Sequence, residues 1–167
     1  HGELSPNVSI ISGGNSYTTA PTITVGIEYA NNTVYTAGQQ IANGGNLYTV
    51  ATNGTSATSG SGPSHTSGTQ TDGTVDFEYV GTQATVTAQI DNNRVSVINV
   101  TNRGSGYTSV PVLNIDNTGT GGTGASATVS IRSRLHVTLI GNVKFAVADD
   151  IQDFSGTPQT VAVTNVV

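Results

Sequence analysis

The side chains in this sequence that could do chemistry are few, and each set would do something different. His1 is followed by Gly2, and a free amino-terminal histidine can chelate copper through its amine and its ring. A second imidazole must complete such a site, and His65 and His136 are the only other histidines. A fragment boundary or tag remnant is the simpler reading of His1, and no copper is expected. Asp149, Asp150 and Asp153 offer oxygen ligands suited to Ca²⁺, but the spacing and bidentate Glu of an EF-hand are missing. A solvated acidic loop is expected there. Asp76 and Glu78 alternate along one strand and share a face opposite Phe77 and Tyr79. They form a polar edge rather than two carboxylates flanking a glycosidic bond. Asp91 and Asp116 stand in Asn- and Gly-rich contexts, where Asx side chains stabilise turns. The many serines and three histidines give no defensible Ser-His-Asp set. No catalytic residue, cofactor or metal is assigned, and the chain is read as a non-enzyme.

What positions these residues is a repeated β unit. Val8–Val25 reads VSIISGGNSYTTAPTITV, and ninety positions later Ile98–Ile115 reads INVTNRGSGYTSVPVLNI. The anchors Gly14, Tyr17 and Pro21 match Gly104, Tyr107 and Pro111, and the apolar alternation between them is kept. Period-2 alternation bounded by Gly and Pro predicts paired strands, and the internal repeat sets the fold. Each matched tyrosine is expected to pack as a lid with its hydroxyl bonded to backbone. The other reading is a sugar-stacking surface. Ala84–Ile90 resembles Ala125–Ile131, yet more than fifty residues separate it from the first Pro strand, whereas a short Gly-rich connector serves the second. A small β domain inserted at a loop tip explains the difference. Its strand candidates are Thr33–Tyr35, Asn46–Ala51 and Thr74–Val80. Leu47, Tyr48, Val50, Phe77 and Tyr79 are its expected core, and Thr52–Asp72 is expected as a long surface loop.

The expected fold is therefore all-β: a duplicated β unit, sandwich or barrel-like, over 1–25 and 83–148, with a small β insert over 26–82 and a strand or tail over 149–167. Asp91–Arg94 reads as a hairpin turn, and Leu135–Val147 as a second hairpin around Gly141–Asn142. Composition narrows the function classes. Cys is absent, which excludes disulfides and thiolate chemistry. A net charge of −5 with only five basic residues speaks against nucleic acid, and no apolar run approaches a membrane span. No signal peptide is visible. Charged residues make up 9% of the chain and Trp and Met are missing, so a monomer would have a thin core. Self-association is one remedy.

The insert carries the most specific text, GGNLYTVATNGTSATSGSGPSHTSGTQTDGTVDFEYVG over Gly44–Gly81. It resembles a module of tailed-bacteriophage virion proteins, notably tail-fibre, baseplate and appendage proteins of marine cyanophages. The matching landmarks are Tyr48, Gly54-Thr55-Ser56, Gly62–Thr69 and Asp72–Tyr79, with Phe77 where that pattern often has Trp. The GSGYTSVP element is similar to repeats of phage structural proteins. The resemblance implies a structural subunit of a virion (tail fibre, baseplate, neck or capsid decoration) acting in assembly and adhesion. Its partners would be itself, as a homo-oligomer and by analogy a trimer, and other virion proteins. The apolar residues Val161, Val163, Val166 and Val167 mark a candidate inter-subunit strand. The alternative is a carbohydrate-binding module for the host surface, using Pro63, Ser64, His65 and Thr66. Exposed rings on the insert would favour it.

Overall fold

Duplicated sequence becomes duplicated register. The structure, a computed structural model, describes residues 2–133 together with the backbone of 150–151 and 161–162. Strands follow one another as β1 (Gly2–Asn15), β2 (Thr22–Val25), β3 (Ile27–Glu28), β4 (Val34–Tyr35), β5 (Gln40–Asn43), β6 (Asn46–Thr52), β7 (Gly54–Thr55), β8 (Thr69–Asp72), β9 (Val75–Thr82), β10 (Thr85–Asp91), β11 (Arg94–Asn102), β12 (Leu113–Asp116) and β13 (Thr123–Ser133). The short strands β14 (Asp150–Ile151) and β15 (Val161–Ala162) come later. No helix occurs among the described residues, and the fold is all-β.

The scaffold is a four-stranded antiparallel sheet in the order β10-β11-β1-β13 and a two-stranded ribbon, β12-β2. In the first copy Val8, Ser9, Ile10 and Ser12 pair with Val129, Thr128, Ala127 and Ser126. In the second, the matched Ile98, Asn99, Val100 and Asn102 pair with Ala88, Thr87, Val86 and Thr85. Even the irregularity is shared, since Ile11 and Thr101 both fall at a register shift. The ribbon is self-complementary, with Ile23 opposite Ile115 and Val25 opposite Leu113. It packs across the sheet, β2 on β10 and β12 on β13. The core between these layers holds Leu4, Tyr17, Ile23, Val25, Val86, Val95, Ile98, Tyr107 and Val129. Alternation explains the choice: in β10, Val86, Ala88 and Ile90 turn inward while Thr85, Thr87 and Gln89 face solvent, and in β1 Val8 and Ile10 alternate with exposed Asn7 and Ser9. The hairpin joining β10 to β11 turns at Asn92 and Asn93, both with positive φ (49° and 60°). Two consecutive left-handed residues make the turn that matches strand twist, and Asn tolerates them.

The insert builds its own mixed sheet, β3-β5-β6-β9-β8, plus a small β4-β7 ribbon. Its core is Tyr35, Ile41, Tyr48, Val50, Val75 and Phe77, with Tyr29 and Tyr79 packed on top. Two expectations need correction. Leu47 is buried in the scaffold core instead, because successive residues of a strand point to opposite faces and Tyr48 takes the insert side. At Leu47 and Tyr48, β6 is thus buried on both faces and joins the two cores. Thr52–Asp72 is not one surface loop, since it contains β7 and β8 and buries Ser56 and Pro63. Ser56 Oγ donates to Ala30 O at 2.7 Å and accepts from Thr33 N at 3.0 Å, so its burial costs no hydrogen bond.

In the second unit, residues 135–167, β14 pairs antiparallel with β15, Ile151 opposite Val161. The other residues of the candidate inter-subunit strand, Val163, Val166 and Val167, lie outside the described residues, as do His1, His136, Asp149, Asp153 and the hairpin read over Leu135–Val147.

Candidate functional site

The repeat anchors meet at two matched elbows. Gly14 and Gly104 both sit at φ +63°. A Cβ on Gly14 would lie 2.2 Å from Thr123 O and 2.6 Å from Ala125 N, and one on Gly104 would lie 2.6 Å from both Thr82 O and Ala84 N. Only glycine supplies both the left-handed backbone and the close approach. Each elbow then folds its tyrosine inward, where Tyr17 is 0% exposed and Tyr107 2%. Neither ring has a face left for a sugar. The hydroxyls differ. Tyr107 Oη accepts the buried Ala84 N–H at 2.8 Å, whereas Tyr17 Oη donates to the side chain of the half-buried Asn117 at 2.6 Å. The backbone partner expected for both is found only for Tyr107, whose phenol burial pushes up from its ordinary pKa. Pro21 is buried beside the first elbow and Pro111 half-buried beside the second.

In the insert all the rings are spent on one another. Phe77 meets Tyr35 edge-on at 5.5 Å, Tyr29 at 6.0 Å and Tyr48 at 6.5 Å. Tyr48 also meets Tyr79 at 6.0 Å and the His65 ring at 4.9 Å. Of the residues read as a glycan-contact loop, Pro63 is buried, His65 is half-buried, and Ser64 and Thr66 are exposed. His65 is tied within its own loop, one ring nitrogen 3.0 Å from Gln70 Oε1 and the other 3.1 Å from Gly68 O. Tyr48 Oη donates to His65 O at 2.9 Å, and Asn43 Nδ2 donates to Ser61 O and Pro63 O. These bonds brace the loop from beneath. Of the ring faces that would favour sugar stacking, those of Tyr35, Tyr48 and Phe77 are buried and those of Tyr29 and Tyr79 half-buried.

The carboxylates serve turns and strand pairs. Asp76 accepts from Thr71 Oγ1 and Thr52 Oγ1 across neighbouring strands, while Phe77 on the other face is buried. Asp116 Oδ1 accepts from Thr118 N at 2.9 Å, and bonds from the Thr118 side chain and then this backbone N–H lower its carboxyl pKa from the ordinary value. Asp72 accepts from Tyr29 Oη at 2.6 Å and from Ala57 N at 3.2 Å. Burial, and then this bond to a carboxylate, push the Tyr29 phenol up to about 12. Glu3 pairs with Arg103 at 3.1 Å. No group of three or more metal-ligating side chains occurs among the described residues.

A feature not read from the sequence is a groove between the second elbow and the base of the insert. It encloses about 230 Å³ and is walled by Ile27, Leu47, Tyr107, Val110, Pro111 and Val112. Gln40 pins it, donating to Gly106 O at 2.8 Å and accepting from Thr108 N at 2.9 Å. The signal was present in the repeat alignment. Val110 and Val112 stand where the first copy has Ala20 and Thr22. Without the tertiary structure nothing shows that the insert closes one side of the groove. No protein-family model, no curated protein and no solved structure matches the chain.

Proposed function

We propose that the chain is a non-enzymatic structural subunit of a tailed-phage particle, acting in assembly and adhesion as a homo-oligomer. One observation carries the reading: the residues shared by the two copies are all used in construction. Gly14 and Gly104 make the close turns, Tyr17 and Tyr107 fill the core, and the paired registers agree down to the irregularity at Ile11 and Thr101. A duplicated frame that carries an inserted module in one half suits a part selected for shape and attachment. The resemblance of Gly44–Gly81 and of GSGYTSVP to phage virion proteins supplies the particle class.

An antiserum raised against the purified chain tests this reading. Gold label at a fixed locus on purified tailed particles is the expected result. Antigen confined to the lysate, with none on the particles, overturns it. Light scattering on the purified chain tests the homo-oligomer, which a monomer at all concentrations would remove.

A further inference from the structure

We infer that residues 58–67 form an autoinhibitory strap over a saccharide-binding face of the insert, built from Tyr29, Asn43 and Tyr48. The inference goes beyond the virion reading and does not depend on it. Register puts the three side chains on one face. Tyr48 lies opposite Ile41, and Asn43 is two residues further along β5. β3 runs parallel to β5 with Glu28 beside Ala42, and Tyr29 N donates to Ala42 O at 2.8 Å, which sets Tyr29 beside Asn43. Residues two apart on a strand share a face, so Ile41, Asn43, Tyr48 and Tyr29 point the same way.

The strap joins β7 to β8 and lies on that face. Among the described residues, none of its own takes part in a hydrogen bond between main chains. Side chains hold its carbonyls instead. Asn31 Nδ2 donates to Gly60 O at 3.1 Å, Asn43 Nδ2 to Ser61 O at 2.6 Å and Pro63 O at 2.9 Å, and Tyr48 Oη to His65 O at 2.9 Å. Gly60 and Gly62 have positive φ (124° and 70°), and Pro63 is the one buried residue of the segment. A surface segment held without ladder bonds belongs to the least stable part of a fold, the part that opens first.

What the strap covers suits a sugar. A Cβ on Gly62 would lie 2.7 Å from Cδ1 of Tyr29, so the main chain rests directly on that ring. The His65 ring stands 4.9 Å from that of Tyr48, which is 0% exposed. With the strap lifted, two aromatic faces would meet the C–H face of a pyranose. The Asn31 and Asn43 amides, which now donate to strap carbonyls, would donate to its hydroxyls. The described basic residues, Arg94, Arg103 and Arg132, lie on or beside β11 and β13, whereas the Asp72 carboxylate stands 2.6 Å from the Tyr29 hydroxyl. A negative charge with no basic group beside it favours a neutral saccharide over an anionic one. Pro63, Ser64, His65 and Thr66, read from the sequence as the glycan contact, are on this inference the cover.

Two substitutions open the strap without altering the face. Gly62→Ala drives a Cβ into the Tyr29 ring, and Pro63→Gly withdraws the buried residue. A site that is closed most of the time shows an affinity reduced by its open fraction, so opening it raises the affinity. Nitration of Tyr48 by tetranitromethane, located by mass spectrometry, reads the opening. Calorimetric titration with maltohexaose, cellohexaose and mannohexaose reads the binding. Both variants should keep the wild-type circular dichroism spectrum, nitrate faster at Tyr48, and bind one of the three saccharides about ten-fold more tightly than wild type. Adding Asn43→Ala, which frees the strap further but removes the amide, should abolish that gain. Tyr48 nitration at the wild-type rate in a folded variant overturns the strap. Failure of all three saccharides to bind a variant with accessible Tyr48, or binding that survives Asn43→Ala, overturns the saccharide face. The two substitutions act differently, so if one prevents folding the other decides.

Discussion

The two matched tyrosines offer a controlled comparison, since one substitution at two repeat-related positions should have unequal effects. Tyr→Phe keeps the ring and its volume, so no cavity opens at either site. At Tyr107 it removes the acceptor of the Ala84 N–H, which is buried with it. A buried donor left without a partner costs about 1–3 kcal/mol, so about 2 kcal/mol is expected for Tyr107→Phe. At Tyr17 the lost partner is the Asn117 amide, which is only half-buried and can take water instead. The net value of an ordinary hydrogen bond, about 0.5–1 kcal/mol, is then the expected loss for Tyr17→Phe. Urea unfolding followed by far-ultraviolet circular dichroism measures both. With an m-value of about 2 kcal/mol/M, the midpoint should fall by about 1 M for Tyr107→Phe and by no more than about 0.5 M for Tyr17→Phe. Equal shifts, or a larger one at Tyr17, would refute the claim that partner burial sets the cost.

Other perturbations should behave as follows. Gly14→Ala and Gly104→Ala each place a Cβ within 2.6 Å of backbone at φ +63°, so each should cost at least about 2 kcal/mol, read as a lower urea midpoint. Tyr29, Tyr48 and Tyr107 all have phenol pKa values raised chiefly by burial. A raised folded pKa means that the unfolded state releases its proton first. Stability should therefore be fully present below about pH 10 and fall as pH rises above it, for Tyr29 up to about 12. An ultraviolet titration should show Tyr29, Tyr48 and Tyr107 ionising late, and melting curves above pH 10 should show the loss. Asp72→Asn should bring the Tyr29 titration down only part of the way, because burial, the larger cause, remains.

Much of this architecture is local, and local features can be read from a sequence. The alternation of Val86, Ala88 and Ile90 with Thr and Gln sets which face of β10 is buried, whatever surrounds it. Asn92–Asn93 sets the hairpin, because few other residues accept two left-handed conformations in succession. The short strands β5 and β8 escaped notice because Gln40–Asn43 and Thr69–Asp72 have little apolar pattern, and their pairing comes from the β6 and β9 edges. Thr52–Asp72 reads as a loop by composition, yet Ser56 and Pro63 are drawn inside by the partners waiting for them, Ala30, Thr33 and Asn43.

The sequence by itself determined that the chain is all-β and that the segment Val8–Val25 recurs as Ile98–Ile115. Periodicity and repetition are properties of neighbouring residues, and they survive without knowledge of the rest. Tertiary structure alone decided which core Leu47 joins and why Tyr107 reaches buried backbone while Tyr17 reaches a side chain. It also decided that Val110 and Val112 face a groove whose other wall comes from the insert. Each of those outcomes depends on residues far apart in the chain meeting across a face, and no local pattern encodes that meeting.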